Sequence, residues 1–259
     1  MNTQTSSHPR PKSMITVYGR NAVLEALEDP TLVLFRLHCA SSNQSSDIIH
    51  KIEALAQSRG VEKVTHTKQA LSRISKNGRQ DQGVALDVVT PGHETLENHL
   101  LKLPMDDSAP EEWLLVDGIT NPQNLGMMIR SVAASPMSGI IIPSKGNASI
   151  DALVIKASAG SLFRARILRA SSIEDAIRML KAHQYQLIGL AGEATQTLAK
   201  LVVHPRRIFV VGSETYGLSD HTKQQADQLC RIPMANGVES LNAAVTASLV
   251  AFRALLRDA

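Results

Sequence analysis

The sequence predicts an α/β protein in two parts: a C-terminal, mostly parallel sheet covered by helices, preceded by a small α/β domain. Three observations lead there. From residue 111 to the C-terminus, apolar strand-like runs alternate with helical segments, a pattern that yields parallel strands covered on both faces. A shorter set of strands and helices occupies residues 14–91. Between them, residues 92–110 hold Gly92, Pro104, Asp106, Asp107, Ser108 and Pro110 around a weak helical stretch, the composition of a linker.

In the first part, residues 19–28 form an amphipathic helix ended by Asp29-Pro30. Residues 32–37 are a strand. A polar loop follows, and Asp47 starts a helix that runs to about Gln57 and stops at Gly60. Residues 61–64 are a short strand and 69–74 a short helix, and 83–89 alternate as a partly buried strand does. In the second part, Trp113-Leu114-Leu115-Val116 is a buried strand that ends at Asp117. A helix follows over 124–134, closed by Pro136. Strands at 139–142, 187–190 and 207–211 alternate with helices at 151–157 and 173–182. Ser240 suits the N-cap of a last helix that runs almost to the end. The pattern alone suggests an open Rossmann-like sheet. No GxGxxG follows the first strand, however, so a dinucleotide site is a poor reading.

Composition excludes several classes. Cys39 and Cys230 are far apart and make neither a disulfide framework nor a metal set, and the nine histidines show no ligand spacing, so no metal is expected. No apolar run approaches the roughly 18 residues of a membrane span. Residues 1–13 are polar, lack the apolar core of a signal peptide and are expected to be a disordered tail of a cytoplasmic protein. A net charge of +3 permits a nucleic-acid partner without arguing for one. A local cluster says more: Lys63, Lys68, Arg73, Lys76 and Arg79 gather within one short stretch and suit a phosphate backbone, or else form an ordinary solvated face. No aromatic residues interleave there, which argues against a base-stacking platform.

Three blocks hold the chemistry. The first is Asp117-Gly118-Ile119-Thr120-Asn121-Pro122-Gln123-Asn124-Leu125-Gly126-Met127-Met128-Ile129-Arg130. The second is Val210-Val211-Gly212-Ser213-Glu214-Thr215-Tyr216-Gly217-Leu218-Ser219. The third is Ile232-Pro233-Met234-Ala235-Asn236-Gly237-Val238-Glu239-Ser240-Leu241-Asn242-Ala243-Ala244. Gly212 and Gly217 let a backbone approach a bulky ligand. Ile232, Met234 and Leu241 supply apolar walls. Arg130 is too weak an acid to serve as a general base and suits phosphate binding or charge stabilisation. Each block alone also reads as ordinary structure: a surface helix, a strand and turn, a final core helix.

Together and in this order, the blocks resemble the SpoU/TrmH family of RNA ribose 2'-O-methyltransferases, of the knotted SPOUT superfamily, over about residues 112–257. A weaker resemblance covers residues 17–90. There Tyr18-Gly19-Arg20-Asn21-Ala22-Val23-Leu24-Glu25-Ala26-Leu27 and Gln82-Gly83-Val84-Ala85 resemble the signatures of a ribosomal-protein-like RNA-binding domain. The chain departs from the family pattern at Asp81, where a histidine is frequent, at Thr215 and Ala243, and at Ser135-Pro136.

The resemblance implies a trefoil knot in the C-terminal part and S-adenosyl-L-methionine as cofactor. It implies methyl transfer to a ribose 2'-hydroxyl of structured RNA, ribosomal or transfer, and a homodimer with sites near the subunit interface. By resemblance the catalytic residues are Asn124, Arg130, Glu214, Ser240 and Asn242. Cofactor binding falls to Gly212, Ser213, Glu214, Gly217, Ile232, Met234, Ser240 and Leu241. RNA binding falls to Arg20, Lys68, Arg73, Lys76, Arg79 and Lys156. Two alternatives stand beside it: an RNA-binding or ribosome-assembly protein that keeps the fold without activity, and methyl transfer to a base nitrogen. The asparagine and arginine of the first block favour ribose.

Overall fold

The computed structural model describes residues 14–89, 92–104, 110–201 and 204–257, and it divides into two compact units at Gly92/His93. The expected tail, residues 1–13, and residues 105–109 of the expected linker lie outside the described residues.

The N-terminal unit runs β1 (Met14–Tyr18), α1 (Arg20–Glu28), β2 (Val33–Ala40), α2 (Asp47–Ser58), β3 (Glu62–His66), α3 (Lys68–Ser75), β4 (Val84–Val89). Its sheet has the order β1-β4-β2-β3, with β4 antiparallel to both neighbours and β3 parallel to β2. Register puts Val17, Leu86 and Leu37 side by side on one buried face. On the other face, Thr16 Oγ1 donates to Asp87 Oδ1 at 2.6 Å, and His38 bridges Asp87 at 3.0 Å and His66 at 2.9 Å. This chain satisfies buried polar groups that break the apolar alternation. It explains why β2 runs three residues past its expected end. Asp81 is buried and accepts from Ser75 Oγ and from the Gly83 amide, each at 3.0 Å, so it shapes the loop before β4.

The C-terminal unit holds an eight-stranded, wholly parallel sheet ordered β10-β12-β9-β11-β6-β7-β8-β5. In chain order its elements are β5 (Glu94–Thr95), α4 (Leu96–Leu100), β6 (Glu111–Asp117), α5 (Pro122–Ala133), β7 (Gly139–Pro143), α6 (Ala152–Ala157) and β8 (Ile167–Ala170). They continue with α7 (Ile173–Ala182), β9 (Gln186–Leu190), β10 (Gln196–Thr197), β11 (Arg206–Gly212), α8 (Asp220–Gln225), β12 (Gln228–Arg231) and α9 (Ala243–Arg257). Much of the segment expected as linker packs into this unit: β5 pairs with β8, and Leu96 and Leu100 are buried in its core.

From β6 the chain steps one way to β7 and β8. The later strands β9, β11 and β12 lie on the other side of β6. A parallel sheet opens a crevice at the carboxyl ends of its strands where the order reverses in this way. Near α5, a Cβ on Gly126 would lie 2.5 Å from the Ala157 Cβ and 2.7 Å from the Val154 carbonyl oxygen, so this glycine sets how closely α5 packs on α6. Helix α9 returns over the sheet to pack on α5 and β11. Arg253 anchors it, paired with Glu112 and stacked 4.5 Å over Phe209.

One expectation is corrected here. The final helix begins at Ala243, and Ser240 is not its cap. Asn242 Oδ1 accepts from the Ala244 amide at 2.8 Å and the Val245 amide at 3.4 Å. Asparagine caps as well as serine does, and the earlier start would have drawn Leu241 and Asn242 into the helix.

Candidate cofactor and catalytic site

The site is built at the crevice. Strand β11 ends at Gly212 and turns sharply: Ser213 and Gly217 exchange backbone hydrogen bonds at 3.0 and 2.9 Å. A Cβ at Gly212 would sit 2.2 Å from the Gly217 carbonyl, so glycine is required for the turn to fold back on its own strand. Asp117, at the end of β6, is buried, and its Oδ2 accepts from the Ser219 amide at 2.8 Å and from Thr222 Oγ1 at 2.7 Å. The first block thereby fixes the exit of the second.

Asn121 caps α5 by accepting from the Gln123 amide at 2.9 Å, which places Asn124 in the first turn. Asn124 is buried and its Nδ2 donates to Glu214 Oε1. Asn242 Nδ2 donates to Asn124 Oδ1 at 3.1 Å and lies 3.5 Å from Glu214 Oε1. One residue from each of the three blocks thus meets in a single hydrogen-bonded cluster. Beside it opens a cavity of about 460 Å³, walled by Leu190, Val211, Ile232, Met234 and Leu241 and by the backbone of the turn. A pocket that sets apolar walls beside fixed polar and charged points suits a nucleoside-sized ligand with a charged tail.

The profile of the SpoU rRNA Methylase family matches residues 112–252. The chain belongs to that family. A second profile, RNA 2'-O ribose methyltransferase substrate binding, matches residues 16–92. The chain is an S-adenosylmethionine-dependent RNA ribose 2'-O-methyltransferase. Among its relatives is a Xylella fastidiosa protein named 23S rRNA (guanosine-2'-O-)-methyltransferase RlmB, 32% identical over 92% of this chain and 95% of that one. Another is a Mycolicibacterium smegmatis protein named uncharacterized tRNA/rRNA methyltransferase, 33% identical over 90% of this chain and 74% of that one. Among solved structures, the SpoU methyltransferase AviRb from Streptomyces viridochromogenes, in complex with AdoMet, superposes with a TM-score of 0.71. It covers 95% of this chain and 90% of that one at 22% identity, a likeness of fold.

Within this SpoU chain, Gly212, Ser213, Glu214, Gly217, Ile232, Met234, Ser240 and Leu241 all line the cavity. Arg130 does not line it. It is exposed on α5, about 9 Å along the helix axis from Asn124 at ~1.5 Å per residue. In the N-terminal unit Lys68, Arg73, Lys76 and Arg79 are exposed, whereas Lys63 is paired with Glu53 at 2.8 Å. Arg20 is half-buried and holds the Gln82 carbonyl at 3.3 Å, joining the two signatures of that unit. Lys156 is exposed on α6 of the C-terminal unit.

Sequence reasoning missed Asp117 as an organiser, and it missed Glu193, Lys223 and Arg231 in the cavity wall. Asp117 opened the first block and its strand-end position was the available signal. Glu193 lies on a loop, Lys223 on a short polar helix and Arg231 at the end of a strand with two apolar residues, so no motif singled them out. Among the described residues no cluster of three or more potential metal ligands occurs, and no helix is long and apolar enough to cross a membrane.

Proposed function

We propose that this methyltransferase modifies a guanosine ribose in 23S ribosomal RNA, as a cytoplasmic homodimer. The observation that carries the site assignment is the Asn124–Glu214–Asn242 cluster at the edge of the cavity. The substrate class rests on end-to-end similarity to the relative named for that reaction. S-adenosylmethionine brings its methyl on a sulfonium, so the transfer needs placement and electrostatics from the protein rather than a metal. The apolar wall takes the adenosine. The Asn124 and Asn242 amides hold the Glu214 carboxylate in one orientation beside the reacting centre. Lys68, Arg73, Lys76 and Arg79 engage the RNA backbone.

Arg130 acts in the dimer. Met127 on α5 and Val245 and Leu249 on α9, two helices packed together, are exposed at 41%, 46% and 36%; this apolar surface beside the exposed Arg130 helix supports a two-fold contact through which Arg130 would reach the partner's site. The family's trefoil knot agrees with the path of the chain: β12 lies outside β9, and α9 then crosses back to α5.

The test is methyl transfer to total RNA from a strain that lacks the gene, followed by mapping of 2'-O-methyl sites. A single 2'-O-methylguanosine in 23S RNA is expected. Label confined to transfer RNA would overturn the substrate class. Label on a base would overturn the ribose assignment.

A further inference from the structure

The cavity wall contains charges beyond the Glu214 of the catalytic cluster. Glu193, Glu214, Glu239, Lys223 and Arg231 line it. Glu214 is engaged by Asn124 and Asn242. Glu193 and Lys223 are engaged with each other, Lys223 Nζ donating to Glu193 Oε1 at 2.7 Å. They arrive from separate elements, Glu193 on the loop after β9 and Lys223 on α8. Sheet order places β9 across β11 from β6, so the pair and the catalytic asparagine after β6 come from opposite sides of the crevice.

The cofactor's amino-acid end bears an ammonium and a carboxylate on one carbon, the mirror of a Glu/Lys couple. The totals also match: three carboxylates against two basic side chains give the wall one net negative charge, and S-adenosylmethionine has one net positive charge. We propose that Glu193 and Lys223 recognise the amino-acid end of the cofactor, Glu193 accepting from its ammonium and Lys223 donating to its carboxylate. This rests on the cavity being the cofactor site.

Two further observations support it. The side chains are 60% and 35% exposed, and an ion pair so open to solvent is held weakly, so a ligand zwitterion can insert at little cost. The lysine beside it holds the Glu193 carboxyl below its usual range, and the glutamate raises Lys223, so both stay charged at neutral pH. No contact pairs Arg231 with Glu239 among the described residues, so those two present no matched couple.

The experiment compares two ligands by calorimetry on the full chain: S-adenosylhomocysteine, and 5'-methylthioadenosine, which has the same nucleoside and sulfur without the amino-acid end. Glu193→Gln and Lys223→Gln should each weaken S-adenosylhomocysteine about 5- to 10-fold, the scale of a solvent-screened charge-assisted hydrogen bond. Methylthioadenosine should bind all variants alike. The charge-swapped double variant E193K/K223E restores an ion pair but offers each charge to the wrong ligand group, so S-adenosylhomocysteine should remain weak. Recovery by the swap, or parallel loss of both ligands, shows a structural pair and overturns the proposal. Wild-type protein that binds neither ligand overturns the cofactor reading as well, which separates the two failures.

Discussion

At the scale of single residues, Asn242 holds two positions at once. Its Oδ1 caps α9, while its Nδ2 joins Asn124 and Glu214. The two roles separate by substitution. Asn242→Asp keeps a capping oxygen but places a second carboxylate beside Glu214, so thermal stability should stay near wild type while single-turnover methyl transfer falls by about 10² or more. Asn242→Ala should lose both the rate and about 1 kcal/mol of stability, read from the denaturation midpoint. An aspartate variant with near-normal turnover would remove the Nδ2 donor from the mechanism. Arg130 is the contrasting case, since nothing in its own chain ties it to the cavity. Arg130→Ala should leave S-adenosylmethionine affinity unchanged and lower the single-turnover rate at saturating RNA by about 10². Arg130→Lys should recover little, because an ammonium lacks the planar fork. Saturating RNA keeps weakened binding from passing as lost chemistry.

At the scale of elements, the turn after β11 depends on backbone proximity. Gly212→Val would push a side chain into Gly217 and Leu218. Calorimetry should show cofactor affinity reduced at least about tenfold, the mutation forcing a shift of a packed backbone. The N-terminal unit should keep its circular dichroism when expressed within the full chain. A second element-level feature sits at the start of β6. Burial raises the Glu111 carboxyl, but hydrogen bonds from His99 and Trp113, each 2.9 Å, and from Tyr185 outweigh it and hold Glu111 down at about 2. A depressed carboxyl stabilises the fold above its unfolded value, near 4.5, and that contribution is lost as pH falls from there toward about 2. Denaturation midpoints should therefore drop through this window in the wild type, and the drop should be shallower in Glu111→Gln.

Most elements were legible because strong apolar periodicity marked them, as at Trp113–Val116 and Ile173–Ala182. Apart from β1, Met14–Tyr18, which directly follows the polar tail, the strands that escaped were short or polar. β12 is Gln228–Arg231, with only Leu229 and Cys230 apolar, and β8 alternates around Arg169. β5 has two residues and exists only through its pairing with β8. Three-block order made the cluster legible. The Ser240 cap was misplaced because Ser and Asn both cap well and only tertiary contact chose between them. The place of Arg130 was beyond periodicity, because a helix repeat gives its flank but not its partner.

At the scale of the whole molecule, the active unit is expected to be a pair of chains. Light scattering should give about twice the 28.0 kDa chain mass at assay concentrations, the two-fold assembly being the commonest closed form. Mass alone does not say whether Arg130 serves its own cavity or the partner's. Mixed dimers do. Arg130→Ala and Asn242→Asp chains are each expected to be inactive as homodimers. If Arg130 acts across the interface, a mixed dimer contains one site with both lesions and one site with neither. Random exchange of equal amounts should then restore about a quarter of wild-type activity, since half of the dimers are mixed and each has one intact site. If Arg130 serves its own chain, every site in the mixture has a lesion and activity stays at the level of the single variants. Refolding the chains together, with differently tagged copies to confirm exchange, measures this directly. A flat result with confirmed exchange would place Arg130 in its own chain's site and leave the exposed α5–α9 face with an assembly role only.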